Sequence, residues 1–369
     1  MAATLARSGQ AADLQENRKP WQPFTDRKVR VGIVGYGVCR FGAEFGFQDH
    51  PNVEIVAVSD LFPDRRDGLM KACRCSRSYE SLEELVKDPK IEAVFVATDA
   101  PSHARHCMLA LNHGKHAMCA VPATWGSIEE GAQLLETVKR TGLKYMMAET
   151  SCYHAACHAM RTIHRVGGFG RVVYSEGEYY HHVTAPIDSY KNWRVGSPPL
   201  WYPTHSTAYY VGVTGGRFTS VSCLGNRGKL PMHQPGANTY GNTFADEIAL
   251  FETSEGGVSR MLMSMSVARH IDETGRIFGE RGRMSGLQYR GEIEENLPDV
   301  SRPPLPPGVP EGGHGGSHGP LMNEFITAIL QNREPLVNVR EALAMTIPGI
   351  IAHQSALKDG ERLKIPQLG

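Results

Sequence analysis

The sequence has no excess of charge of either sign: 39 Lys and Arg balance 39 Asp and Glu over 369 residues. No field of one sign therefore recruits nucleic acid or an anionic membrane. It has no run of about 18 apolar residues, so no membrane-spanning helix is expected. The first 28 residues, MAATLARSGQAADLQENRKPWQPFTDRK, lack the apolar core of a secretory signal and are expected to form a loose tail. Eight cysteines are scattered without the spacing of a small disulfide scaffold, and several lie in apolar runs. That suits reduced thiols and a cytoplasmic location. Cys152, His154, Cys157 and His158 crowd into S-C-Y-H-A-A-C-H, yet the spacing matches no common zinc finger and no second ligand pair follows. Helix packing is expected there, and no metal. There is no internal repeat.

What is present begins with VRVGIVGYG (29 to 37), an apolar strand running into a glycine turn with a helix start beyond it. Such a turn lets backbone amides approach a pyrophosphate at the positive end of a helix. Gly35 and Gly37 are in place, but the third glycine position holds Arg40, with Gly42 two residues later. VEIVAVSD (53 to 60) is a second buried-strand pattern and ends in Asp60. A carboxylate there accepts hydrogen bonds from an adenosine ribose and repels a 2′-phosphate, although it also suits a helix cap. Arg65 and Arg66 follow closely and leave a phosphorylated cofactor open; Asp60 favours NAD. Strand patterns at EAVFVATDAP, KHAMCAV and KYMMAET alternate with HARHCMLALNHG and the serine-capped SIEEGAQLLETVKRTG. Residues 29–150 therefore read as a Rossmann domain with a doubly wound parallel sheet. Residues 151–369 form the second unit, an α/β domain that closes with two amphipathic helices after the proline-rich PPLPPGVP.

A-T-D-A-P-S-H (97 to 103) followed by A-L-N-H-G-K-H (110 to 116) resembles the Gfo/Idh/MocA family of oxidoreductases. V-P-A-T (121 to 124), A-E-T-S-C-Y (148 to 153), E-G-E-Y-Y-H (176 to 181), N-W-R (192 to 194), Y-P-T-H (202 to 205) and G-G-H-G-G (312 to 316) narrow this resemblance. They look like the signatures of its NAD-dependent glycoside hydrolases, such as glycoside hydrolase family 109. The resemblance implies a second domain with an open, mostly antiparallel sheet that carries the substrate site and the contact of a homo-oligomer. It also implies a glycoside or sugar substrate and a redox-neutral route. Carbon 3 is oxidised, the proton on carbon 2 is lost, the aglycone leaves carbon 1, water adds, and the same cofactor returns the hydride. Where the parent family has E-K-P, with a lysine that handles the substrate proton, this chain has Ala120, Val121 and Pro122. An asparagine of the narrower family is replaced by Thr150.

The resemblance and the residues together give the candidate site. Gly35, Gly37, Val38, Cys39, Asp60, Ser102, His103, Ala120, Val121, Thr150 and Arg194 are expected to hold the cofactor. Tyr202 and His205 stand close enough in L-W-Y-P-T-H to face one substrate. His205 is expected to titrate near neutrality, and Tyr202 to relay a proton if a cation lowers its pKa. Glu149 is expected to end the last Rossmann strand and to orient substrate or act as base, with a salt bridge as the alternative. Tyr179 and His181 alternate on one strand face and are expected to touch the sugar. Trp193 is expected to stack on it, and His314 to reach it from a glycine-rich loop. A dehydrogenase with net turnover of NAD, and a silent sugar-binding protein, are the competing readings.

Overall fold

The computed structural model describes residues 20–368. Residues 1–19 of the expected tail lie outside it. The remainder of that stretch is fastened: Asn52 Nδ2 donates to the carbonyls of Thr25 and Arg27 at 2.6 and 2.8 Å.

The first sheet contains β1 (Val29–Val34), β2 (Val53–Ser59), β3 (Ser78–Tyr79), β4 (Ala93–Val96), β5 (His116–Cys119) and β6 (Tyr145–Met147). Its order is β3-β2-β1-β4-β5-β6, and every pair is parallel. Parallel strands covered on both faces read as unbroken apolar runs, which is why β1, β4 and β6 are legible as strands. The crossovers run through α1 (Phe41–Glu44), α2 (Pro63–Ala72), α3 (Leu82–Leu85), α4 (His103–Asn112) and α5 (Ile128–Thr141). Cys107 and Leu111 of α4 are buried, while Met108 is only partly so. At α5, Ser127 Oγ accepts from Glu130 N at 3.1 Å, and Gly142 ends the helix in the left-handed region at φ 66°.

The second sheet takes β7 (Val172–His181), β8 (Phe218–Arg227), β9 (Phe244–Thr253), β10 (Val258–Ser264), β11 (Ile271–Gly279), β12 (Gly282–Ser285), β13 (Gln288–Gly291) and β14 (Leu363–Lys364). Its order is β13-β12-β11-β7-β10-β9-β8-β14. Only β7 and β10 run parallel; the other pairs are antiparallel. Behind it lie α6 (Ala155–Arg165) and α7 (Thr204–Thr214). Gly177 allows α7 to press on β7, since a Cβ there would fall 2.0 Å from Ser206 O. That close approach brings His205 beside Tyr179.

The G-G-H-G-G segment is not an open loop. It forms a short helical turn, α8 (Gly313–Gly316), in which His314 and Gly315 adopt φ 46° and 63°. After it come α9 (His318–Leu330) and α10 (Val339–Ala356). Helix α10 packs on α5 and β6 as well as on α7 and β8, so the C-terminal part ties the two sheets together. No helix among the described residues is long and apolar enough to cross a membrane.

Candidate active site

A cavity of about 570 Å³ opens at the C-terminal ends of β1, β2 and β4. Ligands gather at this edge of a doubly wound sheet. Gly35, Gly37, Val38, Cys39, Asp60, Ser102, His103, Ala120, Val121 and Arg194 all line it. Thr150 does not; its Oγ1 lies 3.3 Å from His205 Nδ1. A Cβ on Gly37 would meet nothing within 4 Å, so this turn leaves open space for a ligand to approach the backbone. Arg40, at the third glycine position, adopts φ 50° and precedes α1. The packing role passes to Gly42, where a Cβ would lie 2.4 Å from Gly35 O. Asp60 Oδ2 accepts from Tyr36 N at 2.7 Å and Oδ1 from Phe62 N at 2.9 Å, and helix α2 beyond it has no side-chain cap. Each carboxylate oxygen keeps a further lone pair for a ribose hydroxyl. Open space at Gly37 together with Asp60 at the end of β2 fits NAD.

The far wall comes from the second domain. Lys191 and Asn192 adopt φ 52° and 58°, and this turn delivers Trp193 and Arg194 to the cavity wall. The Arg194 guanidinium lies 4.2 Å from the Trp193 ring and donates to Cys39 Sγ at 4.0 Å. Tyr240 secures the segment by donating to Trp193 O at 2.7 Å. Tyr202 also lines the cavity, and its ring lies 5.4 Å from that of His205. A smaller cavity shares Trp193, Arg194 and Tyr202 with the first and adds Tyr179 and His181. His314 borders neither; its Nδ1 is 3.0 Å from His318 Nε2.

Behind Tyr202 lies a buried acid/base cluster. Strand β6 stops at Met147, so Glu149 does not end the strand. It caps the next turn instead, and Oε1 accepts from Ser151 N and from His205 Nδ1, each at 2.8 Å. The Glu273 carboxylate approaches the same nitrogen, with Oε2 3.5 Å from His205 Nδ1. Burial alone would lower the His205 pKa, but the two carboxylates outweigh it and hold the imidazolium up to about 9. His205 therefore does not titrate near neutrality. Burial pushes the Tyr202 phenol above its ordinary range, and Arg194 offsets this only in part. Burial raises Tyr179 as well and lowers His181.

Glu273 carries no signal in the sequence. Asp272, Glu273 and Thr274 form a polar run with no local motif. Its place follows only from strand register, which sets it opposite Tyr179. Trp125 is likewise visible only in three dimensions: its ring lies 5.0 Å from Trp193 and 6.5 Å from Tyr202.

Residues 29–149 match the model of the Gfo/Idh/MocA oxidoreductase family with its NAD-binding Rossmann fold. That match covers the first domain, about a third of the chain. Among curated relatives, a glycosyl hydrolase family 109 protein of Porphyromonas gingivalis is 32% identical over 177 residues, 45% of this chain and 38% of that protein. The chain thus matches well under half the length of that relative. A glycosyl hydrolase family 109 protein of Solibacter usitatus is 24% identical over 384 residues, 92% of this chain and 87% of its own. Among solved structures, a levoglucosan dehydrogenase in complex with NADH and levoglucosan has a TM-score of 0.75 at 16% identity. That likeness covers 92% of this chain and 100% of the other, and it concerns the fold.

Proposed function

We infer that this chain belongs to the Gfo/Idh/MocA family and is an NAD-dependent glycosidase that works by a redox-neutral cycle. One observation carries the reading. Ala120 and Val121 line the cavity without a titratable group, while Tyr202 stands beside an imidazole whose Nδ1 faces two carboxylates. Proton handling has moved from the first domain to the second. The likeness to glycosyl hydrolase family 109 proteins supports the same reading.

The Gly35–Gly37 turn, Asp60 and Arg194 would hold NAD, which supplies a hydride acceptor and then a hydride donor. The chain's own residues manage protons. A carbonyl at carbon 3 of the sugar acidifies the proton on carbon 2. Loss of that proton forms the carbon 1–carbon 2 double bond and expels the aglycone with its bonding electrons. Water then adds at carbon 1 as a proton returns to carbon 2. We assign these transfers to the Tyr202 hydroxyl, which lines the cavity, and to His205 behind it, whose Nε2 is left for proton exchange because Glu149 occupies Nδ1. As an imidazolium, His205 is ready to protonate the leaving oxygen, and it becomes a base once it has given up that proton. Tyr179, His181 and Trp193 form the wall for the sugar.

The test is an aryl glycoside assay with NAD⁺ present. Release of the phenol with no net change in absorbance at 340 nm supports the glycosidase. A steady rise at 340 nm without phenol would mean a dehydrogenase, and neither signal a silent binder.

A further inference from the structure

The glycine turn brings little positive field to the cofactor cavity. Helix α1, which follows it, has only four residues and ends in Glu44. A macrodipole is the sum of aligned peptide dipoles, so one turn of helix adds little attraction for a pyrophosphate. The amide of Arg40, just ahead of α1, donates to Gly37 O at 3.0 Å and is used up within the turn. The charge of a bound dinucleotide has to be balanced from elsewhere.

Arg40, Lys191 and Arg194 all line that cavity. Each lies against an aromatic ring: 5.8 Å from Tyr36, 5.2 Å from Tyr190 and 4.2 Å from Trp193. Among the described residues none of the three is paired with a carboxylate. Unpaired cations around one cavity repel one another, and an anion placed among them removes that cost. Two of the three belong to the second domain, on a strap of residues 188–194 that crosses the cavity. At one end Tyr190 meets Phe62, two residues past Asp60, with ring centroids 6.2 Å apart. At the other, Arg194 donates to Cys39 of the glycine turn at 4.0 Å. Lys191 falls between these anchors. The chain is bent to put it there, for Lys191 and Asn192 hold left-handed φ of 52° and 58°, which residues with a Cβ adopt only under constraint. Ser189 supplies that constraint: its carbonyl accepts from Asn192 N at 3.0 Å and its Oγ from Arg194 N at 3.2 Å.

We propose that Lys191 and Arg40, together with Arg194, supply the counter-charge of the cofactor pyrophosphate, so that the strap 188–194 of the second domain is part of the dinucleotide site. The proposal rests on NAD occupying this cavity and is independent of the reaction run there. It also gives the cofactor a reason to stay through many turnovers, because NAD leaves only when the strap lifts. Trp193 and Arg194 of the same strap line the smaller cavity as well, so a sugar seated there holds the strap down.

The test titrates the full chain calorimetrically with NAD, with ADP-ribose, which keeps the pyrophosphate, and with adenosine, which lacks it. Lys191→Gln should weaken NAD and ADP-ribose about tenfold while adenosine binding and the melting temperature stay as in the parent. Lys191→Arg should bind like the parent. Lys191→Gly relaxes the left-handed backbone but removes the charge, and it should lose as much affinity as Lys191→Gln. Arg40→Gln should act in the same direction, and in both charge-removing variants NAD affinity should fall less steeply with added salt. Unchanged NAD affinity in Lys191→Gln, an equal loss for adenosine, or parent-like binding by Lys191→Gly overturns the proposal. A second readout needs no variant: NAD should slow amide hydrogen exchange across residues 188–194 of the parent. Exchange there that is the same with and without NAD overturns it as well.

Discussion

Glu149→Gln isolates the charge that holds His205 protonated. Gln keeps the shape and an acceptor for Nδ1 at the 2.8 Å contact, but it removes the nearer of the two carboxylates. His205 and Glu149 are 4% and 0% exposed, so solvent screens their attraction little. Raising the imidazole from its ordinary 6.5 to about 9 corresponds to roughly 3 kcal/mol of preference for the protonated form. Because the folded state binds this proton more tightly than the unfolded chain, the stabilisation is whole below pH 6.5 and is lost as pH rises through 9. The parent should therefore lose up to about 3 kcal/mol between those limits from this group. In Glu149→Gln only Glu273 remains, and the larger part of that pH-dependent loss should vanish. Urea unfolding of both proteins at several pH values between 6 and 9.5 gives the comparison. Other titrating groups cancel in the difference between the two curves. Parallel curves would refute the assignment, for they would mean that Glu149 does not hold the proton on His205.

The glycine turn makes two opposite predictions. Gly37→Val, at a position whose Cβ meets nothing within 4 Å, should leave the melting temperature intact while weakening NAD binding at least about tenfold. Gly42→Val places atoms against Gly35 O and should destabilise the fold by about 1–3 kcal/mol before cofactor binding is considered. If isothermal titration and melting show the reverse pattern, the turn has been misread. Asp60→Ala should erase the preference for NAD over NADP, with Arg65 in the same wall free to favour a 2′-phosphate. Tighter NADP than NAD binding in the unaltered chain would contradict that. Tyr202→Phe removes one hydroxyl and should cost about 10²–10⁴ in turnover with folding preserved, and adding Val121→Lys should not rescue it. Near-normal turnover would reduce Y-P-T-H to scaffold.

The Rossmann half was legible because its strands are buried on both faces and its helices carry local signals, such as Ser127 and Gly142 on α5. Motif order also marked Tyr202, His205 and Glu149, which the fold brings into one cluster. Three features lay beyond local pattern. Gly42 takes the packing role that the spacing assigned elsewhere, because Arg40 itself adopts a left-handed backbone. The α8 turn reads as a loop from its glycines, yet it closes into a short turn in which His314 and Gly315 carry left-handed backbone angles. Glu273 becomes part of the site only through the pairing of β11 with β7, a contact across about a hundred residues that no local periodicity encodes. The His205 pKa failed to follow from sequence for the same reason, since the second carboxylate was unseen.

The central claim is that carbon 2 of the sugar gives up its proton during cleavage. The most direct measurement is turnover of an aryl glycoside in deuterated water with NAD⁺ present, followed by NMR of the released sugar. The account predicts deuterium at carbon 2 of the product, phenol in equal amount, and no net NADH. Phenol release with carbon 2 fully protonated would contradict it and return the chain to direct hydrolysis.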